Sequence, residues 1–159
     1  MEDQVAMRLP PDDPTARFPF ADGEGGAALA LARHDADEAR GGPHLDLFLA
    51  EAAAADGDPD ARAVRTWRLP LAAWNGSSFA AGAYDALAIA PHRAEYLRLP
   101  ASRALPEGRG TVHPLLSAAA WARVAGAVEV RVAGQRIRLS PAGGDRWRAE
   151  FTADAGGRP

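Results

Sequence analysis

His44 and Asp46, two positions apart in the otherwise apolar segment 44–49, are the residues in this sequence best suited to chemistry. Side chains alternate between the two faces of a β-strand, so this spacing places the imidazole and the carboxylate on one face. Both groups bind divalent manganese, iron or zinc, and His34 offers a third ligand that would leave coordination positions open for catalysis. A hydrogen-bonded polar pair on a strand surface explains the same spacing, and the fragment alone leaves both interpretations open.

Length and composition favour a single domain without cross-links. The chain has 159 residues, enough for one hydrophobic core, and it has no cysteine, which excludes disulfides and thiolate metal sites. No apolar run reaches the ~18 residues of a membrane span, and the start Met1–Gln4 lacks the basic residues of a secretory signal. We therefore expect a cytoplasmic protein with no membrane partner.

Charge is distributed unevenly, although the formal net charge is only −3. Residues 1–24 carry six acidic and two basic side chains, whereas residues 91–149 carry ten arginines and four acidic residues. Guanidinium groups bind phosphate through paired hydrogen bonds, so the downstream half could bind an anionic partner. An arginine-rich solvated face explains the same composition without any partner.

The elements that must position these residues are mostly short strands. The sequence predicts a mobile acidic leader over residues 1–26 and a single domain over residues 27–152. Residues 153–159 are predicted to form a C-terminal tail. Residues 71–90 are alanine-rich and ambiguous, and a loop with a helical turn is expected there. Strands are predicted at 27–33, from 44 onward, and at 63–69, 128–132, 136–139 and 146–151. Short strands at close spacing favour a mainly β fold, an antiparallel barrel or sandwich.

Five segments between residues 28 and 151 occur in an order typical of one protein family. They are His34-Asp35-Ala36, His44-Leu45-Asp46, the strand Arg65-Thr66-Trp67-Arg68-Leu69, His92 with Tyr96 four residues later, and Pro106-Glu107-Gly108-Arg109-Gly110-Thr111-Val112. This series resembles the 3′-phosphoesterase domain found at the N-terminus of bacterial DNA ligase D, and its short stand-alone relatives. The chain looks like a divergent, stand-alone member of that family.

The resemblance implies a small closed or nearly closed antiparallel β-barrel with short helical segments, holding one manganese ion through His34, His44 and Asp46. It implies that His92 and Tyr96 contact the phosphate and act in catalysis, and His92 could protonate the leaving oxygen. The substrates would be DNA or RNA/DNA 3′ ends, from which a manganese-dependent phosphomonoesterase and phosphodiesterase removes a 3′-phosphate or a terminal ribonucleoside. A DNA ligase or an end-joining protein is the implied partner.

Two departures from the family pattern concern phosphate binding and ligand spacing. Phe48 and Tyr84 stand where family members place phosphate-binding arginines, so we expect the missing charge to come from other arginines. The segment between His34 and His44 is also longer than the family's usual spacing. The phosphate-binding candidates are His92, Tyr96, Arg93, Arg98 and Arg109.

Two other functional classes fit parts of the sequence. A barrel that lacks the family arginines could bind nucleic-acid ends or a repair partner without cleaving anything. Alternatively, His44, Asp46 and His113 match the facial triad of a nonheme iron oxygenase, and Arg123 could hold the carboxylate of an oxo-acid cosubstrate. Metal-dependent cleavage identifies the phosphoesterase, and oxygen consumption that depends on an oxo-acid identifies the oxygenase.

Overall fold

The computed structural model describes residues 23–153, so most of the predicted leader and C-terminal tail lie outside the described residues. In this part of the chain, nine β-strands are linked by turns, some of them short 3-10 turns. None of the helical segments within residues 23–153 has the length and apolar character needed to span a bilayer. The strands are β1 (Glu24–Asp35), β2 (His44–Glu51), β3 (Val64–Leu69), β4 (Gly82–His92), β5 (Arg103–Ala104), β6 (Thr111–Val124), β7 (Val128–Val132), β8 (Gln135–Gly143) and β9 (Arg146–Ala153).

Eight of these strands close into an antiparallel barrel. Their order around the barrel is β1, β2, β3, β4, β9, β8, β7, β6, and β6 returns to pair with β1. The two-residue strand β5 extends the sheet beside the first residues of β6. Closure pairs the edges that an open sheet would leave exposed. The expected mainly β fold, a small closed antiparallel barrel, is confirmed.

Alternation along β2 separates the barrel core from the exterior face. Leu45, Leu47 and Leu49 point into the barrel, where the main apolar cluster includes residues from β1 to β4 and β6 to β9. Burying each such leucine stabilises the fold by roughly 1.5–3 kcal/mol. The opposite face of β2 carries His44, Asp46 and Phe48, and a second, smaller apolar cluster packs there beneath the 3-10 segment Ala94–Arg98. Both faces of β2 are therefore buried, although only one faces the core.

The structure departs from the sequence-based prediction in the alanine-rich segments. A 3-10 turn covers Leu71–Ala73, but residues 82–90, where a loop was expected, belong to strand β4. Ala86 and Ala88 on β4 face the core beside large aromatic side chains from other strands, so the strand needs no large apolar residues of its own. Strand β6 likewise contains three consecutive alanines. Pairing with neighbouring strands, rather than intrinsic propensity, determines both elements.

Candidate metal centre

The β1–β2 hairpin brings the three candidate ligands together. His34 and His44 are direct antiparallel partners, and Asp46 lies opposite Ala32. The connecting loop folds into the 3-10 turn Glu38–Arg40. Because strand register sets the positions of the ligands, the extra residues in this loop do not separate them.

The ligand atoms of His34, His44 and Asp46 lie within 4.8 Å of one another. Nδ1 of His34 is 3.9 Å from Oδ2 of Asp46, and Nε2 of His44 is 3.5 Å from Oδ1. Donors that each lie 2.0–2.2 Å from a common ion are about 3–4 Å apart. The separations in this cluster are therefore close to those that three ligands of one cation require.

Main-chain carbonyls determine which nitrogen each imidazole presents to the cluster. Nε2 of His34 donates to the carbonyl of Arg109 at 2.7 Å, and Nδ1 of His44 donates to the carbonyl of Gly42 at 2.9 Å. In a neutral ring the opposite nitrogen is unprotonated, and in both residues that nitrogen faces Asp46. Metal-binding histidines are typically oriented by such a hydrogen bond from the second nitrogen.

The resulting cluster places hydrogen-bond acceptors against one another. Nε2 of His44 and Oδ1 of Asp46 are buried and have no hydrogen-bond partner among residues 23–153. Each buried group left unsatisfied is unfavourable by about 1–3 kcal/mol. A divalent cation between the donors removes this conflict, and two imidazoles with one carboxylate suit manganese, iron or zinc. The residues present therefore fit a divalent metal ion.

The charge state of Asp46 is consistent with a ligand role. Burial opposes ionisation, but a hydrogen bond and positive charge from His44 in its protonated form, with smaller contributions from the charges of His92 and Arg68, hold the pKa of Asp46 below its usual value. The carboxylate is therefore ionised at neutral pH.

Gly110 positions the carbonyl that orients His34. Its φ is +96°, and a Cβ atom at this position would lie 2.1 Å from the carbonyl oxygen of Asp35. Only a residue without a side chain can approach β1 this closely with that backbone conformation. The glycine thus places the preceding residue, Arg109, with its carbonyl beside the His34 ring.

Gly110→Ala is expected to weaken Mn²⁺ binding about 10–100-fold, because the added methyl group moves the loop and separates the Arg109 carbonyl from His34. Gly108→Ala is the matched control. Its φ is +70°, so a similar left-handed penalty of about 1–2 kcal/mol applies, but nothing lies within 4 Å of its Cβ position. Calorimetric Mn²⁺ titration should show the loss in Gly110→Ala alone. Equal affinities in the two variants would show that this carbonyl does not orient His34.

His92 and Tyr96, the predicted catalytic residues, pack against Phe48 on the same exterior face as the metal ligands. The ring centroid of Phe48 lies 5.2 Å from that of His92 and 5.5 Å from that of Tyr96. The rings of His92 and Tyr96 meet edge to face at 5.3 Å. Because Phe48 follows Asp46 by two residues on β2, this aromatic group adjoins the ligand cluster.

Hydrogen bonds and burial set the protonation of His92. Its Nδ1 lies 3.0 Å from the hydroxyl of Thr66 and 3.2 Å from the carbonyl of Ala90. The Thr66 hydroxyl donates to the carbonyl of Val64, so it accepts from Nδ1 of His92. Burial lowers the pKa of His92, and the nearby charge of Asp46 opposes that shift only in part. At neutral pH His92 is therefore an uncharged imidazole whose Nε2 is unprotonated.

The three arginines expected to bind phosphate each contact another acceptor. Arg93 lies 3.7 Å from Glu95, and Arg98 forms an ion pair with Asp56. The guanidinium Nε of Arg109 donates to the carbonyl of Pro106 at 3.2 Å, and this residue reaches the cluster through its own carbonyl. The structure thus brings His92 and Tyr96 beside the ligands but keeps these guanidinium groups in other interactions.

Arg68 is a candidate site residue to which the sequence analysis assigned no role. It is the direct cross-strand partner of Asp46, and its charge contributes to the lowered pKa of that carboxyl group. Its Nε is buried and has no hydrogen-bond partner in the described part of the chain. Alternation from the core residue Trp67 places Arg68 on the exterior face, but only the strand register shows that it meets Asp46.

His113, the third ligand in the oxygenase alternative, lies outside the cluster. Its Nε2 is 3.0 Å from Oδ2 of Asp35, and its Nδ1 is 2.7 Å from Oγ of Ser102. Arg123, the proposed oxo-acid ligand, pairs with Glu129 at 2.7 Å. The geometry therefore favours a ligand set containing His34 over one containing His113.

Comparisons of the chain with protein-family models, with curated proteins and with solved structures found no match. The resemblance to the 3′-phosphoesterase domain of DNA ligase D therefore stays a prediction from the sequence.

Proposed function

We propose that this protein is a metal-dependent phosphoesterase that acts on nucleic-acid 3′ ends in DNA end repair. It would remove a 3′-phosphate or a terminal ribonucleoside and leave a 3′-hydroxyl, the group that a DNA ligase joins. The observation that carries the proposal is the cluster of partly buried His34 with buried His44 and Asp46, in which both imidazoles are oriented by main-chain carbonyls. Arg68 and His92 beside this cluster supply the charge and the proton acceptor that phosphoester hydrolysis uses.

The metal ligands in this proposal are His34, His44 and Asp46, and Mn²⁺ is the favoured ion. A bound divalent ion supplies Lewis acidity at the phosphoryl oxygens and lowers the pKa of coordinated water. Arg68 binds non-bridging oxygens of the same phosphate through its guanidinium group. The Tyr96 hydroxyl donates a further hydrogen bond to the phosphate.

His92 acts in this proposal as the general base. Its Nε2 accepts a proton from the attacking water, while Thr66 and the Ala90 carbonyl hold Nδ1. In ribonucleoside removal, the bond between phosphorus and the water oxygen forms as the bond to the 5′-oxygen of the terminal nucleoside breaks, which leaves a 3′-phosphate. In phosphate removal, a second water attacks and the bond to the 3′-oxygen breaks, which leaves a 3′-hydroxyl. In each step the leaving oxygen takes a proton from solvent. A lowered pKa suits a base better than the acid role expected from the sequence, because the neutral ring predominates at neutral pH.

The direct test is incubation of the purified protein with a primer–template that ends in a 3′-phosphate or a single 3′-ribonucleotide. We expect conversion to a 3′-hydroxyl end with Mn²⁺ and none with a chelator. His113→Gln is the control, since its imidazole lies outside the cluster, and it should retain activity that His44→Ala loses. Equal loss in both variants would favour the His44–Asp46–His113 ligand set.

A non-catalytic module that binds nucleic-acid ends is the second candidate. It is favoured by the contacts of Arg93, Arg98 and Arg109 with other acceptors, and by the apolar Phe48 beside the ligand cluster. In that case DNA ends should still be bound after His44→Ala and Asp46→Ala, with affinity that falls steeply as salt rises. Retained binding without cleavage in any metal would support this candidate over the enzyme.

A further inference from the structure

A groove of about 340 Å³ reaches the candidate metal ligand His44. Its lining includes the ligand His44 and the neighbouring Arg68, and it continues to Arg146 on β9. The groove therefore connects the candidate metal centre with a second guanidinium group.

Strand register places Asp46, Arg68, Leu87 and Arg146 in one row across β2, β3, β4 and β9. Directly paired residues of antiparallel strands project from the same face, so both arginines lie on the exterior face with the metal ligands. Neighbouring strands are about 4.8 Å apart, so the row extends roughly 14 Å from Asp46 to Arg146.

The two arginines of this row differ from most others among residues 23–153, because neither forms a salt bridge with an acidic side chain there; Arg68 acts on Asp46 only through the longer-range effect of its charge. Nε of Arg68 is also buried without a hydrogen-bond partner among those residues. A buried donor without an acceptor is unfavourable, and a ligand that supplies the acceptor removes this penalty. Eight other arginines form ion pairs: Arg33, Arg40, Arg93, Arg98, Arg103, Arg123, Arg138 and Arg148.

We propose that this groove binds the backbone of a nucleic-acid strand next to its 3′ end, with Arg146 holding the internucleotide phosphate that precedes the terminal phosphate at Arg68. The inference rests on the proposed function and specifies its substrate as a polynucleotide strand. Guanidinium forks suit phosphate oxygens, and a cationic groove that follows the backbone is typical of single-strand binding. Leu87, between the two arginines, offers an apolar surface to the intervening sugar or base.

Asp85 provides a test of whether the ligand of the groove is negatively charged. Its exposed carboxylate lies in the same groove, two residues before Leu87 on the same face of β4. A negative charge there opposes a phosphate, so Asp85→Asn should tighten binding of a polynucleotide. A groove that bound a cationic or neutral ligand would show the opposite effect or none.

The experiment is a fluorescence anisotropy titration of the metal-free protein with a labelled single-stranded oligonucleotide that ends in a 3′-hydroxyl and so cannot be cleaved. Arg146→Ala should weaken binding about five- to tenfold and reduce the magnitude of the salt slope by about 0.7, the value for one lost phosphate contact. Arg146→Lys should retain the slope, because it keeps the charge. Arg138→Ala is the matched control, since it removes the same charge from an ion-paired arginine on β8.

Unchanged affinity and salt slope in Arg146→Ala, or equal losses in Arg146→Ala and Arg138→Ala, would overturn the proposal. Because the probe is already the reaction product, this outcome is independent of catalysis. Binding that depends on Arg146 in a protein that cleaves no 3′ end would support the groove while refuting the phosphoesterase. Cleavage of 3′ ends by a protein whose oligonucleotide affinity is unchanged in Arg146→Ala would refute strand binding in the groove, but not the phosphoesterase.

Discussion

Asp46→Asn is expected to reduce kcat/KM for Mn²⁺-dependent release of a 3′-phosphate by at least about 1000-fold. The substitution keeps the volume of the side chain but removes the charged oxygen that would bind the metal. Metal-assisted stabilisation of phosphoryl charge is worth several kcal/mol, and each 1.36 kcal/mol corresponds to a factor of ten in rate. Steady-state assays with a 3′-phosphorylated primer measure this loss directly.

Thermal unfolding separates this loss from misfolding. In metal-free buffer Asp46→Asn should be at least as stable as the wild type, because its amide can donate to Nε2 of His44, which in the wild type faces a carboxylate oxygen at 3.5 Å. Mn²⁺ should raise the Tm of the wild type and leave that of the variant unchanged. Turnover within tenfold of the wild type would refute Asp46 as a metal ligand.

His92→Ala is expected to lower kcat by about 10²–10⁴-fold, the usual contribution of a general acid or base. Its ring lies outside the three-ligand cluster, so Mn²⁺ affinity should remain near that of the wild type. Thr66→Val offers a milder variant of similar shape, because it removes one acceptor of Nδ1 and leaves the ring in place. Unchanged turnover in His92→Ala would show that the role implied by the family resemblance does not apply to this chain.

The pH dependence of kcat distinguishes a base from an acid at His92. Burial lowers the pKa of His92 below its ordinary value of 6.5, Asp46 opposes the shift, and Arg62 and His34 add to it. A general base must be unprotonated, so the rate should rise with pH through this lowered pKa and be level near pH 7. A general acid would give a rate that falls as pH rises through the same pKa. The rise in kcat with pH should be absent in His92→Ala.

The candidate ligands were recognisable in the sequence because alternation along one strand needs no tertiary information. His44 and Asp46 share a face in any extended conformation, and the partner His34 is the residue that hairpin register places opposite His44. The segment between His34 and His44 is longer than the family's usual spacing, but its extra residues include the 3-10 turn Glu38–Arg40, and the two histidines still pair directly across the hairpin.

The remaining features depend on contacts between distant segments. Strand β4 could not be predicted, because alanine has a low intrinsic preference for strands. Its alanines fit this position only because large residues from other strands already fill the core. The importance of Arg68 follows from the register between β2 and β3, and the acceptors of Arg93 and Arg98 follow from where the loops fold. The alternation of polar and apolar residues predicts which face of a strand a side chain occupies. Which residue it meets on the next strand can be identified only when the register between the strands is known.

Titration of the metal-free protein with Mn²⁺, followed by the EPR signal of the free ion, tests most directly whether His34, His44 and Asp46 bind one divalent cation. The wild type and His113→Gln should each remove one equivalent of Mn²⁺ from solution, and Zn²⁺ should compete for the same site. His44→Ala and Asp46→Asn should leave the free-ion signal undiminished over the same range. No binding by the wild type, or equal affinity in the wild type and Asp46→Asn, would contradict the metal centre.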